Sequence, residues 1–348
     1  VVISNLASVT SIDFSNVTTV GAGSTINSPL TVASATSVNL GGFKASVITA
    51  NDATSVILGQ TTAHNLTINA ATAASVVANS LATATGTISD AAGADINAED
   101  LSAIGAKTTG QITVTNAIDI NGTVAQVTAA LVTSATLVVA ATAVVALDDA
   151  ASVAEANAID AVTTGIITAT LDTGAASTFS ALTGTGNAYT VTVSDTASTS
   201  IAATVLSTLG GKTTGVVTVT NAIVITGTQA ALTAALVTAG TLVVAGRATG
   251  TISDANDASI AATALSAIGA KTSGAITVTN AVNVTGTTAA VTAALVTADS
   301  LVVVSDAKAT ISDSEGDSIA ATALSAIGAK TSGVVTVSNA IALSGTNT

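Results

Sequence analysis

Apolar and polar positions change period several times within a short stretch of this chain. In SIAATALSAIGAKT, residues 259–272, Ile260, Ala264, Leu265 and Ile268 recur at helical spacing. Ser259 stands where an N-cap belongs and Gly269 where a helix ends. AITVTNAVNVTG, residues 275–286, then alternates: Ile276, Val278, Val282 and Val284 are apolar, Thr277 and Thr279 polar, with a break at Asn280-Ala281. Helical spacing returns in TTAAVTAALVTA through Val291 and Leu295, with Thr287 as its cap, and LVVVSDAKATISD is extended again. The pattern predicts strand–turn–helix twice over, in two coils.

This pattern repeats. Copies begin at Ile88, Val193, Ile252 and Ile311, the last three separated by 59 residues each. The step of 105 residues from Ile88 to Val193 leaves room for a shortened copy, which SVAEANAIDAVTTGIITATL (residues 152–171) supplies. A coil of this size cannot bury its apolar face alone and must stack on its neighbours. The expected fold is therefore a repeat solenoid: an α/β solenoid over 88–348, with one continuous parallel sheet facing a wall of Ala-rich helices. Its repeats are 88–147, a degenerate 148–192, 193–251, 252–310 and a partial 311–348. Residues 1–87 lack helical spacing. ATSV at 35–38 and 53–56 and AASV at 73–76 recur at 18 and 20 residues, which predicts a short-coil β-solenoid with its transition near Asp90 and Pro29 in a turn.

Composition narrows the function classes. The chain is 49% hydrophobic but 1% aromatic, so its core rests on Val, Ile, Leu and Ala. Cysteine is absent, which excludes disulfides and thiolate metal sites, and a net charge of −13 is wrong for nucleic acid. Residues 129–147 are uncharged and long enough to cross a bilayer, yet the matching stretches carry Arg247 or Asp306, Lys308 and Asp313, so they belong to a protein that does not span a membrane. The first residues, Val1-Val2, form no basic-then-apolar leader, which predicts a processed chain or a slice of a longer one.

Little here can carry catalysis. His64 is the single histidine and has no partner motif, so no nucleophile–base set can be assembled and no enzyme is expected. The acidic turns SDAAGAD (Asp90, Asp95), SDANDAS (Asp254, Asp257) and SDSEGDS (Asp313, Glu315, Asp317) offer oxygen ligands that calcium could use. The third copy, SDTASTS, keeps only Asp195, which favours turn formation and helix capping instead. Lys107, Lys212, Lys271 and Lys330 sit in a GxKTxG turn that follows a helix, unlike a phosphate loop, and are expected in solvent beside the helix C-terminus. Asn116, Asn221, Asn280 and Asn339 recur on alternate coils, too far apart for a mutual ladder, so each is expected to satisfy its own turn. The pairs Thr113/Thr115, Thr218/Thr220 and Thr277/Thr279 are expected to face outward from a flat sheet, the arrangement an ice-binding solenoid uses or simply good strand residues in water.

The phrases LSAIGAKTSGVVTVSNA, VTAALVTADSLVVV and AEANAIDAVTTGIITATL resemble the Ala/Thr/Val-rich tandem repeats of very large secreted surface proteins of bacteria, marine cyanobacteria in particular, and of fibre proteins of their phages. The resemblance covers residues 86–348. The ATSV coils are loosely similar to stretches of bacterial S-layer proteins. It implies an extracellular, assembling or adhesive role and transfers no site residue. The expected function is a structural protein of a bacterial surface layer, sheath or fibre that associates with itself end to end or laterally, with cell-envelope glycans as a further partner. A calcium-dependent adhesin, a phage tail fibre and an ice-binding solenoid are the alternatives.

Overall fold

The computed structural model describes residues 85–345, apart from 137, 242 and 298–301, and the backbone of eight short strands between Ser11 and Ile68. Phe14, Pro29, Phe43, His64 and the AASV segment at 73–76 lie outside the described residues. The chain has an α/β fold in which short helices alternate with short strands and every assigned strand pair is parallel. It divides into two compact units, Val1–Leu171 and Asp172–Thr348.

The second unit holds the most regular copies. Val217–Val219, Val224–Gly227 and the helix Gln229–Leu236 form one turn of chain. The next supplies Val243–Val244, Thr249–Ile252, Ser259–Ala261 and the helix Ala262–Gly269. Fifty-nine residues on, the set returns: Ile276–Val278, Asn283–Gly286 and Thr288–Leu295, then Val302–Val304, Lys308–Ile311, Ser318–Ala320 and Ala321–Gly328. The predicted alternation holds, with Ile276, Val278, Val282 and Val284 all buried, as are Leu265, Ile268, Val291 and Leu295 of the helices. Thr287 caps its helix by accepting from Ala290 N at 3.2 Å.

Ser259 is not a cap. Ser259–Ala261 is a strand in register with Asn283–Thr285, and the helix starts directly from it at Ala262 with Ala261 as N-cap. Ile260 therefore belongs to the sheet. The two-residue alternation of so short a strand cannot be told from one turn of helix by periodicity, because buried Ile260, Ala262 and Leu265 satisfy either template. Every second turn of chain consequently carries three strands where two were expected.

That third strand breaks up the continuous sheet. Val302–Val304 and Lys308–Ile311 pair backward with Ile276–Val278 and Asn283–Gly286. Going forward, Lys308–Ile311 pairs with Val335–Val337, and Ser318–Ala320 with Ala342–Ser344. Pairing thus moves sideways by one strand at each three-strand turn. One sheet runs from Ser200–Ala202 through 224–227, 249–252 and 276–278 to Val302–Val304, and the next begins at Ser259–Ala261. In the first unit, strands at 30–31, 47–49, 65–68, 85–88, 112–114 and 138–139 form one parallel sheet, while Asp95–Asn97, Asp119–Gly122, Val144–Leu147 and Ile167–Thr170 form another run of neighbours. The degenerate copy has a helix, Val153–Asp160, capped by Ser152 and Glu155, ahead of the strand Ile167–Thr170. The uncharged stretch 129–147 breaks into a helix end and two strands, and among the described residues no helix is long and apolar enough to cross a membrane.

Val284 is fully buried, whereas Leu343, its equivalent 59 residues on in the last described strand, is 63% exposed. The two described aromatics, Phe179 and Tyr189, are both buried in the irregular stretch before the third copy, where regular spacing does not restrict side-chain size.

Close approach of successive turns shows at the glycines. A Cβ on Gly165, Gly215, Gly274 or Gly333 would overlap the carbonyl oxygen of Ala143, Tyr189, Ala248 or Ala307 respectively. Nothing surrounds a Cβ on Gly246. Gly274→Ala is expected to destabilise by about 1–3 kcal/mol, because backbone must move to admit the methyl. Gly246→Ala is expected to change stability by less than about 1 kcal/mol, and urea midpoints of the two variants measure the difference.

Candidate functional site

The side chains that recur through the repeats converge on the interface between one turn of chain and the next. The T-x-G part of GxKTxG is its buried portion. Thr163 Oγ1 donates to Ala143 O at 2.6 Å and accepts from Gly165 N at 3.1 Å. Thr213 donates to Tyr189 O at 2.7 Å and accepts from Gly215 N at 2.9 Å. Thr272 and Thr331 repeat the arrangement with Ala248 O and Ala307 O, and accept from Gly274 N and Gly333 N. A buried hydroxyl must be bonded to be tolerated, and this one both donates and accepts. Threonine holds the neighbouring turn while glycine, two residues on, lets it come close. The Thr-x-Gly spacing is visible in the sequence at 163–165, 213–215, 272–274 and 331–333.

The lysines divide. Lys107, Lys271 and Lys330 are exposed as expected. Lys212 departs from the expectation: it is half-buried, and its ammonium donates to the carbonyl of Leu182. The irregular stretch before it leaves that carbonyl within reach.

The asparagines do not serve their own turns. Asn116 Nδ2 donates to Asp90 O at 2.5 Å, Asn221 to Asp195 O at 2.8 Å, Asn280 to Asp254 O at 2.6 Å and Asn339 to Asp313 O at 2.6 Å. Each reaches 26 residues back, to the adjacent turn. Stacking brings that carbonyl beside the amide, a proximity that spacing along one turn cannot reveal.

The acidic candidates occupy the same seam. Asp254 Oδ2 accepts from Gln229 N at 2.6 Å, and Asp313 Oδ2 from Thr288 N and Thr288 Oγ1 at 2.6 and 2.8 Å. Asp195 Oδ2 and Asp149 Oδ1 do the same for Ala176 N and Val124 N. In each case the donor is the first residue of a helix in the preceding turn, so these carboxylates cap a neighbour's helix. Asp254 therefore ties three turns, through Gln229 before it and Asn280 after it.

Asp257 forms an exposed ion pair with Lys308 at 2.5 Å, and Asp317 accepts from Ser314 N at 2.9 Å within its own turn. Asp95 opens the strand Asp95–Asn97 with an exposed side chain, and Glu315 is exposed in its turn. Among the described residues, no group of three or more His, Cys, Asp or Glu is arranged to hold a metal ion. The glycine within two of these turns has a backbone role. Gly93, Ser198, Asp257 and Gly316 occupy equivalent positions with φ between 63 and 85°, and each N–H donates to the next turn, at Ala117, Ala222, Ala281 and Ala340. The position asks for left-handed backbone, which glycine adopts without strain.

Both members of each Thr-x-Thr pair lie on the outer face as expected: Thr113 and Thr218 are half-buried, Thr277, Thr115, Thr220 and Thr279 are exposed, and the last three also donate to Ile88 O, Val193 O and Ile252 O of the preceding turn at 3.1–3.2 Å. A shallow cleft of about 430 Å³ beside the helix Thr288–Leu295 is walled by Ala, Thr, Ser and Ile with the carboxylate of Asp313, which Thr288 already engages. Comparison with protein-family models, with curated proteins and with solved structures finds no match.

Asp254→Ala is expected to lower stability by about 0.5–2 kcal/mol, the loss of a helix cap, and Asp254→Asn by less because an acceptor oxygen remains. Thr272→Val keeps the shape but strands Gly274 N and Ala248 O, and is expected to cost about 1–3 kcal/mol. Ser198→Gly is expected to stabilise by up to about 1 kcal/mol through relief of the left-handed conformation. Urea denaturation of the three variants beside the parent chain checks the signs.

Proposed function

We propose that each unit of this chain winds as a solenoid and that the protein is a structural component of a bacterial surface layer, sheath or fibre, working outside the cell by self-association. The observation that carries this reading is the seam itself. Recurrent polar side chains whose bonds the structure describes, Thr272, Asn280, Asp254 and Asp313 among them, are used to hold one turn of chain to the next. The positions that recur in the repeats are thereby spent on stacking.

A repeat whose apolar face is completed by its successor suits extension by addition of like units. Small and β-branched residues give a dry, close-packed interior, and the near absence of lysine and arginine (7 residues in 348) leaves few tryptic cleavage points. The resemblance to tandem-repeat surface proteins agrees with such a passive, mechanical task. A protein of this kind needs no pocket.

Electron microscopy of the purified chain over a range of concentrations tests the proposal. Filaments or two-dimensional arrays that grow with concentration are expected. Isolated particles at every concentration, with a monomer mass in sedimentation, would overturn it.

A further inference from the structure

From Ala188 onward, one rule relates the order of elements in the second unit to their pairing. The order is Ala188–Val193, Ser200–Ala202, helix Ala203–Gly211, Val217–Val219, Val224–Gly227 and helix Gln229–Leu236. Val243–Val244, Thr249–Ile252, Ser259–Ala261, helix Ala262–Gly269, Ile276–Val278, Asn283–Gly286 and helix Thr288–Leu295 come next. Val302–Val304, Lys308–Ile311, Ser318–Ala320, helix Ala321–Gly328, Val335–Val337 and Ala342–Ser344 complete it. Among the described residues, each strand pairs with the element three places away wherever that element is a strand. Val224–Gly227 thus pairs with Thr249–Ile252 past one helix and one strand, and Thr249–Ile252 with Ile276–Val278 past one strand and one helix.

Where the element three places on is a helix, the sheet stops. Val243–Val244 and Val302–Val304 are terminal strands among the described residues, and three places beyond them stand the helices Ala262–Gly269 and Ala321–Gly328. The helices follow the same count. Ala203–Gly211 packs extensively on Gln229–Leu236, and Ala262–Gly269 on Thr288–Leu295, each three places apart. Helices four places apart, such as Thr288–Leu295 and Ala321–Gly328, touch less. Three places beyond Thr288–Leu295 comes the strand Ser318–Ala320, and the cleft of about 430 Å³ lies between these two, walled by Thr288, Thr292 and Ser318 among others. A narrow strand following a helix on one side leaves that space.

We propose that the second unit winds with three sides to a coil, so that each 59-residue repeat faces one third of a turn away from the last. A repeat holds five strands and two helices, seven sides in all, which is two and one third coils. Its helix pair therefore leaves the side used by the preceding pair and takes another. After three repeats the helices return to the first side. Whatever surface the helix pair carries is thus offered on three sides in succession. The third strand of every second turn is the cause: without Ser259–Ala261 or Ser318–Ala320 a repeat would hold six sides, and every helix would stack on one side. The inference rests on the solenoid winding proposed above and adds the phase of its repeats, which a period of 59 residues by itself leaves open.

The test is distance measurement between paired spin labels, for which a chain without cysteine is suited. Thr204, Thr263 and Thr322 are exposed, equivalent helix positions 59 residues apart, so T204C/T263C, T263C/T322C and T204C/T322C report one, one and two repeats. Labelled chains are diluted into unlabelled parent, so that only distances within a chain are read. One third and two thirds of a turn span the same chord, and only the rise of about 11 Å per repeat doubles. Equal one-repeat distances and a two-repeat distance well short of double are therefore expected. A two-repeat distance twice the one-repeat distance, roughly 20 Å against 10 Å, would overturn the rotation. T277C/V303C, on paired strands of one side, separates the two readings. Strong coupling of this pair is expected in either arrangement of the helices, and its absence would overturn the solenoid winding itself.

Discussion

Among the described residues, the recurrent polar side chains bond to segments about 25 residues before or after them. Asp254 shows the constraint in one residue: its carboxylate caps the helix at Gln229 in the preceding turn, and its carbonyl is held by Asn280 in the following one. Asp195 and Asp313 repeat the arrangement. A turn in isolation would leave these groups, and the strand backbones beside them, to compete with water. Stacking satisfies them together, which couples each repeat to its neighbours.

The apolar interior follows from the same constraint. Turns close enough for Thr272 to reach Ala248 leave no space for a side chain at Gly274 and little for anything larger than Ile or Leu in the layer between strands and helices. Alanines at 262 and 294, fully buried, mark where helix and strand come closest. Among the described residues, aromatic side chains appear where this regularity lapses, at Phe179 and Tyr189. The small-residue composition of the described repeats accords with this close turn spacing.

Several features were legible from spacing alone. The helix cap at Thr287, the buried alternation through Ile276 and Val284, and the shortened copy at 152–171 all follow from local pattern, because capping and burial act over a few residues. The acidic turns were ambiguous for a physical reason. Carboxylates near glycine serve a cation, a cap or a left-handed turn equally well in one dimension. At Asp254 and Asp313 the helix N–H bonded across the seam is what distinguishes these roles.

Local pattern is enough to read the 59-residue repeat and the alternation of extended and helical segments, since both rest on periodicity over a few residues. Which turn each polar group serves emerges only in the fold. It made Ser259–Ala261 a strand, turned Asn280 and Asp254 toward neighbouring turns, and shifted strand pairing sideways to leave Val244 and Val303 on terminal strands. The reason is distance. Partners 24–27 residues apart in sequence are one strand spacing apart in space, and no local pattern encodes which of several such partners a group will meet.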